Sequence, residues 1–387
     1  MKYLPLVWTG LWRKTARTIF TLVSIVAAFA LYGMLQGIDT TLKQSVNRGR
    51  LNVLITRSPT GLPLPLADLH QIEAVHGVTR VTPRSLFIGN YQSAHNPVIA
   101  LPIDPDSFFA VNSMYSVSPT QRAAFRRTRT GALVAQGLAQ RLAWKIGDEI
   151  PIHAINAQKK DGTSDWTFQV VGTFDTPGYP ARDQPLLLMN YPYFDIAREK
   201  DAGTVQFYQE AIADASQATA VSNAIDDLFT NSPNRTRTET ERSDAQGQLA
   251  QVGDLDFFVV AIVAAAFATL LLVVGSTLMQ AYRERIREFA VMKTLGFTDW
   301  GILTLVLSEA LLLTLGSAVL GLLVAYAMLS ALALMTRATG GASLLGLHWS
   351  VVLIGIAFAL LLALASALPA AWRAQRLSIT DALAVAR

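Results

Sequence analysis

The chain has 387 residues, 51% hydrophobic and only 16% charged, with 32 Lys+Arg against 28 Asp+Glu. Average soluble domains carry about a quarter charged residues, so part of this chain lies out of water; 25 Gly and 16 Pro exclude collagen-like and disordered classes. The absence of cysteine excludes disulfide frameworks, thiolate metal sites and Cys nucleophiles.

Residues 1–17 carry Lys2, Arg13, Lys14 and Arg17 without an acid. Leu4, Val7, Trp8, Leu11 and Trp12 give this lead-in an apolar side, as an interfacial helix would have. An uncharged run of 21 residues follows (18–38), enough for one membrane span. Ala28-Phe29-Ala30 is similar to a signal-peptide cleavage site, but the apolar run continues through Leu31, Met34, Leu35 and Ile38, so an uncleaved anchor is expected. Gly33 and Gly37 form a GxxxG pattern, a surface for close helix packing or for dimerisation.

Residues 40–234 read as an α+β domain. Leu51, Val53 and Ile55 alternate as in a half-buried strand. Strands are predicted at 51–57, 86–91, 97–103, 131–135, 148–153, 167–174, 185–189 and 204–209. Helices are predicted at 66–75, 120–128, 136–145, 190–200 and 214–229, with loops at 58–65, 175–185 and 231–234. His70, His76, His95 and His153 have no metal-ligand spacing, and neither a G-x-S-x-G elbow nor a P-loop occurs. Arg126, Arg127 and Arg129 read as a solvated face. No catalytic residue, metal or cofactor is therefore assigned to this chain. Residues 235–256 are polar almost throughout and are expected to form a stalk, either a helix running into the next span or a flexible linker.

Uncharged runs of 26, 27 and 35 residues (257–282, 310–336, 338–372) complete a set of four. The expected fold is an α-helical membrane protein with four transmembrane helices (18–38, 257–282, 301–330, 350–372) and the α+β extracytoplasmic domain inserted between the first and second. A cytoplasmic helix at 283–300, an external hairpin at 331–349 and a cytoplasmic tail at 373–387 fill the rest. The segments 1–17, 283–300 and 373–387 hold 11 Lys+Arg against 4 Asp+Glu, whereas the hairpin has only Arg337. By the positive-inside rule both termini are cytoplasmic. Residues 40–250 balance at 20 bases and 20 acids, so the +4 of the whole chain flanks the membrane and a nucleic-acid partner is excluded. Gly355, Ala359, Ala363 and Ala367 form a small-residue stripe for helix packing in the fourth span. Glu309 is an acid inside the third span; Arg283, Arg285 and the tail bases are its candidate partners, and structural coupling of the spans is its expected role.

The loop RERIREFAVMKTLGFTDWGIL (283–303) mixes charges of both signs with an apolar side of Ile286, Phe289, Ala290 and Met292. Gly296 suits a helix stop, and Asp299 suits the start of the next helix. Three acids against four bases favour a protein partner over anionic lipid.

Arg285, Glu288, Lys293 and Gly296 stand in the register of the loop of the FtsX/MacB-type permeases of ATP-binding-cassette systems, which this chain resembles. Glu309 with the following LLLTLGSAVLGLLVA, the tail Pro369-Ala370-Ala371-Trp372-Arg373-Ala374 with Asp381-Ala382-Leu383, and GALVAQGLAQRLAWKIGDEIPI with FQVVGTF extend the resemblance along the chain. Phe289, Ala290, Thr294, Phe297 and Ser378 depart from the family pattern. The resemblance implies an inner-membrane exporter subunit without its own ATPase site. ATP and Mg would be handled by a separate ATPase docked at Arg283, Glu284, Arg285, Ile286, Glu288, Phe289, Lys293, Leu295 and Gly296. It implies dimerisation with a second copy or a paralogue and, in some such systems, a periplasmic adaptor and outer-membrane channel. Its work would be mechanotransmission, moving a lipoprotein, peptide or drug-like cargo; a non-transporting transmitter that controls an extracytoplasmic hydrolase or sensor is the alternative.

Overall fold

The computed structural model describes residues 14–176, 186–250, 255–338 and 346–375. Most of the basic lead-in, the loop at 177–185 and the tail motif around Asp381 lie outside the described residues. The chain divides into a helical unit (up to Leu42, Asp254–Leu332 and from Leu345 on) and a second unit (Lys43–Gly253 with Ala333–Leu344).

The first uncharged run becomes the middle of helix α1 (Thr15–Asn47), which extends past the predicted end at 38 into polar sequence. In hydrocarbon a helix satisfies its own backbone polar groups, and that requirement sets the form of this run.

Beyond Arg50 short strands take over. In chain order they are β1 (Val53–Arg57), β2 (Leu64–Pro65), α2 (Leu69–Glu73), β3 (Val78–Arg84), β4 (Phe87–Asn90), β5 (Pro97–Ile103), α3 (Phe108–Val111), α4 (Pro119–Arg127) and β6 (Gly131–Ala135). There follow α5 (Gln136–Arg141), β7 (Glu149–Ala154), β8 (Asp165–Phe174), β9 (Leu186–Asn190), α6 (Tyr191–Ala197), β10 (Thr204–Val205), β11 (Phe207–Ile212), α7 (Ala218–Leu228), β12 (Arg237–Thr240) and α8 (Glu241–Ala250). The main sheet runs β12-β1-β11-β3-β5-β4-β7-β8-β6-β9, and β9 returns to pair in parallel with β5. Strands β5, β4, β7, β8, β6 and β9 thus close on themselves, and β12-β1-β11-β3 form an antiparallel extension. Strands β6 and β9 are buried at every position, while β7 and β8 alternate buried and solvated residues. Phe87 packs edge-on against Trp166 at 5.5 Å and Phe168 at 6.0 Å, anchoring the core of this part.

Most predicted elements of the domain coincide with observed ones, but β3, β12 and the short α3 were not expected, and β2 pairs with β10 at the end of the predicted loop 58–65. Strand β12 corrects the stalk. Residues 237–240 pair antiparallel with β1 instead of starting a helix. The two-residue period of RTET places Thr238 inward, where its hydroxyl meets that of Thr56 at 2.9 Å, and leaves Arg237 and Glu239 on the outer side with an ion pair of 2.5 Å. The helical part starts only at Glu241.

The helical unit is completed by α9 (Leu255–Glu284), α10 (Ile286–Thr294), α11 (Asp299–Ala338) and α12 (Trp349–Gln375). Helices α1, α9, α11 and α12 are each long and apolar enough to cross a membrane. Ile25, Phe29 and Tyr32 of α1 pack with Val274 of α9, Leu322 of α11 and Val351 of α12, and the Tyr32 hydroxyl donates to the Val351 carbonyl at 3.2 Å. The GxxxG pattern is used inside the chain: a Cβ at Gly33 would stand 2.6 Å from Ala325 Cβ, and one at Gly37 2.5 Å from Leu329 Cδ1. Gly321 answers from α11, where a Cβ would stand 2.6 Å from the Val26 carbonyl oxygen. These glycines therefore fasten α1 to α11, the close helix packing that was one of the two readings of the GxxxG pattern. Gly355 faces Tyr32 and Leu322, and Ala359, Ala363 and Ala367 have no exposed surface, so the small-residue stripe of α12 is also consumed in packing.

Candidate functional site

Within the domain, the segments by which the chain enters and leaves the sheet are fastened to each other. Arg50 donates from Nε to Glu241 Oε2 at 2.8 Å, from Nη1 to the Val111 carbonyl at 2.7 Å and from Nη2 to Asn112 Oδ1 at 2.9 Å. Its backbone N–H also reaches Glu241 Oε2, at 3.1 Å. Gly49 lies against the backbone of Arg242, and the Arg242 guanidinium bonds Asn47. Arg57 of β1 holds Asp244 at 2.7 Å. Helix α8, polar and without a buried residue, is therefore positioned by charge-assisted bonds and not by a hydrophobic face.

In the helical unit, the ends of the long helices gather around α10. Lys14, just before α1, and Arg17 of α1 both reach Glu284, the last residue of α9, at 2.8 and 3.0 Å. Arg285 leaves helical geometry (φ −105°, ψ 7°), so the chain turns and restarts as α10. Its Nη1 donates to both oxygens of Glu309 at 2.7 Å each, and its Nε faces Glu288 at 3.3 Å. Its guanidinium carbon lies 5.2 Å from the centre of the Phe289 ring. Both partners of the Arg285–Glu309 pair are about nine-tenths buried, with side chains 11% and 10% exposed. Of the candidate cations, Arg285 is thus the partner of Glu309. Phe289 stacks on Tyr282 at 6.2 Å and packs with Ile302, Leu305 and Ala371; the Tyr282 hydroxyl donates to the Arg373 carbonyl of α12 at 3.1 Å.

The far end of α10 is closed by paired backbone bonds. Gly296 N–H donates to Lys293 O at 3.1 Å, and Phe297 N–H to Met292 O at 3.0 Å. This Schellman arrangement needs a left-handed residue, and Gly296 supplies it at φ +93°. Lys293 then joins Asp299, the first residue of α11, at 2.7 Å. The opposite side of the turn is open: Val291, Leu295 and Trp300 are 55%, 75% and 68% exposed.

Residues 18–228 match the model of the MacB-like periplasmic core domain, and residues 258–379 match that of the FtsX-like permease C-terminal. The chain belongs to the FtsX/MacB-type permease family. It is a multi-pass membrane protein with an α+β domain of the MacB type, and the family supplies the transmembrane subunit of ABC systems, generally without an ATPase site of its own. Similar solved structures include the extracellular domain of the noncanonic ABC-type transporter YknZ from Gram-positive bacteria (10% identity, TM-score 0.37, 49% of this chain and 100% of that one). Another is the periplasmic region of MacB from Actinobacillus actinomycetemcomitans (10% identity, TM-score 0.38, 53% of this chain and 96% of that one). No curated protein sequence matches the chain.

Of the residues of this permease singled out in the loop, Arg285 and Phe289 point inward, Ile286, Glu288 and Lys293 are half-buried, and Arg283, Glu284, Leu295 and Gly296 are exposed. Val291 and Trp300 were not singled out, although both belong to the exposed apolar surface. The signal was present: Val291 and Leu295 are one turn apart on a helix whose other apolar residues follow a different face.

Proposed function

We propose that this chain is the permease subunit of an ABC exporter, with both termini and α10 cytoplasmic and its MacB-type domain inserted between the first two spans on the far side of the inner membrane. A separate ATPase docks on Val291, Leu295, Trp300 and the flanking charges Arg283, Glu284 and Arg287. The observation that carries this reading is the two-sided character of α10: its inner side is tied to α9, α11 and α12, while its outer side leaves large apolar side chains uncovered. A push on the outer side therefore reaches the long helices through the Arg285–Glu309 pair and the Phe289–Tyr282 stack. ATP-driven motion of α10 is passed on by the long helices, and the domain moves a lipoprotein, peptide or drug-like cargo by mechanotransmission. The permease acts as a dimer with a second copy or a paralogue.

The test uses the absence of native cysteine. In the full chain co-expressed with its ATPase, Leu295→Cys should be labelled by a membrane-permeant maleimide and protected when the ATPase is bound. Leu295→Asp with Trp300→Asp should abolish co-purification of the ATPase while leaving the permease in the membrane. Retention of the ATPase by that double variant would refute the docking assignment.

A further inference from the structure

Three guanidinium groups and two carboxylates meet where β1, β3, β11 and α8 converge. Arg50 is committed to Glu241, and Arg57 Nη2 to Asp244 at 2.7 Å. Arg84 is different: its Nη1 donates to a neutral amide, Gln209 Oε1 at 3.0 Å, and no carboxylate lies within ion-pair distance of it among the described residues. The Nε atoms of both Arg57 and Arg84 are buried and have no hydrogen-bond partner. Both guanidinium carbons lie by the same ring, 5.7 and 5.8 Å from the centre of Phe207. A cleft of about 510 Å³ opens there, walled by Arg57, Arg84 and Phe207 on the sheet and by Glu241, Asp244 and Gln248 on α8.

Arg84 brings a guanidinium charge to the wall of the cleft with a neutral amide and no carboxylate to meet it, and Arg57 adds a second guanidinium beside it, so an anionic acceptor is the chemistry that is lacking. Guanidinium donors fit the lone pairs of carboxylate and phosphate groups better than any neutral acceptor. Glu241 and Asp244 do not repel such a guest outright, because with Arg50 the cations outnumber them by three to two. We propose that this cleft binds a small oxyanion, phosphate or a carboxylate-bearing solute, at the Arg57–Arg84 pair. Since α8 forms the second wall, occupancy also favours the state in which α8 is closed on the sheet. The inference concerns the domain alone and stands whether or not the docking surface of α10 is assigned correctly.

The test is hydrogen exchange of the full chain in nanodiscs with inorganic phosphate or acetate, against chloride at matched ionic strength. By linkage, openings that dismantle the cleft become rarer by roughly tenfold when the anion is at about ten times its Kd, so peptides covering 204–212 and 241–250 should gain that protection. Arg84→Gln should abolish the gain. Arg57→Lys, which keeps a cation for Asp244 but removes the planar guanidinium fork, should reduce it, and serves as the deciding variant if Arg84→Gln fails to fold. An equal gain in chloride, a gain that survives in the folded variants, or no gain with either oxyanion would overturn the proposal.

Discussion

Removing the negative charge of Glu309 while keeping its shape tests the link between α10 and α11 most directly. In Glu309→Gln the guanidinium of Arg285 loses its counter-charge and one of two acceptors at 2.7 Å, in a site where both side chains are about nine-tenths buried. Stripping one partner from a buried ion pair costs about 3–5 kcal/mol, because the remaining charge stays desolvated. Glu288 at 3.3 Å and the Phe289 ring retain part of the stabilisation, which places this case near the lower end. About 3 kcal/mol corresponds to roughly a hundredfold change in an equilibrium constant. Hydrogen exchange on the full chain in nanodiscs should therefore show roughly hundredfold faster opening of the 286–297 peptides, with the middle of α12 unchanged. Adding Arg285→Gln should recover much of the loss, since no buried charge is then left alone, and a double-mutant cycle measures that recovery. If α10 in Glu309→Gln exchanges like wild type, the pair does not hold the helix, and the mechanical route from the docking surface to α11 is wrong.

Gly296→Ala forces a Cβ into φ +93° and should cost about 1 kcal/mol, fraying the last turn of α10 and lowering ATPase binding without unfolding the spans; wild-type exchange at 292–297 would refute this. Gly49→Ala would place a Cβ 2.6 Å from Arg242 Cα and 2.8 Å from its backbone nitrogen, atoms that cannot rotate away, so about 1–3 kcal/mol of overpacking should loosen 241–250 without changing any charge. The same peptides exchanging as in wild type would show that the two segments are not fastened there. Glu210 on β11 is fully buried, neither of its carboxylate oxygens has a hydrogen bond of normal geometry, and burial pushes it up to about 8, with Thr56 offsetting only part. Its folded value is raised, so its contribution is fully present below about 4.5 and is lost as pH rises to about 8, by at most roughly 5 kcal/mol. Glu210→Gln should flatten that dependence of the opening free energy of β11 between pH 5 and pH 9, approximate limits set by the same linkage; an unchanged slope would place the titrating group elsewhere.

Hydrophobic patterning carried most of the fold. The uncharged runs marked all four long helices because an apolar stretch of that length has one stable form in hydrocarbon. The strands were legible where one face is wet, as in β7 and β8, or where β-branched and aromatic residues cluster. Strand β3 was missed because VTRVTPR combines exposed Thr79 and Arg80 with a proline, which weakens the alternation, and its pairing with β11, distant in the chain, settles the matter. Strand β12 was missed for a related reason: four polar residues follow a two-residue period only because β1 is there to receive them. Tertiary context, and not local propensity, decides such short elements.

The site was legible in its position but not in its sidedness. Charge mixture, Gly296 and the register of Arg285 located α10, yet a list of residues cannot tell which side of a nine-residue helix is held and which is offered. Glu309 supplies the missing direction. An acid nearly three turns into an apolar helix requires a cation, and among the described residues Arg285 is the one that reaches it, so the face that carries Arg285 and Phe289 has to turn inward. Helical geometry then places Val291 and Leu295 on the other side, together with Trp300 just beyond the turn closed by Gly296. The surface proposed to meet the ATPase is thus a consequence of where one buried carboxylate sits. Moving that carboxylate one turn along α11, with Glu309→Leu and Leu313→Glu, should rotate or release α10 and withdraw Leu295 from a bound ATPase, measured as loss of the protection of Leu295→Cys from maleimide. Full protection in that variant would mean that the orientation of α10 is set by its apolar contacts alone.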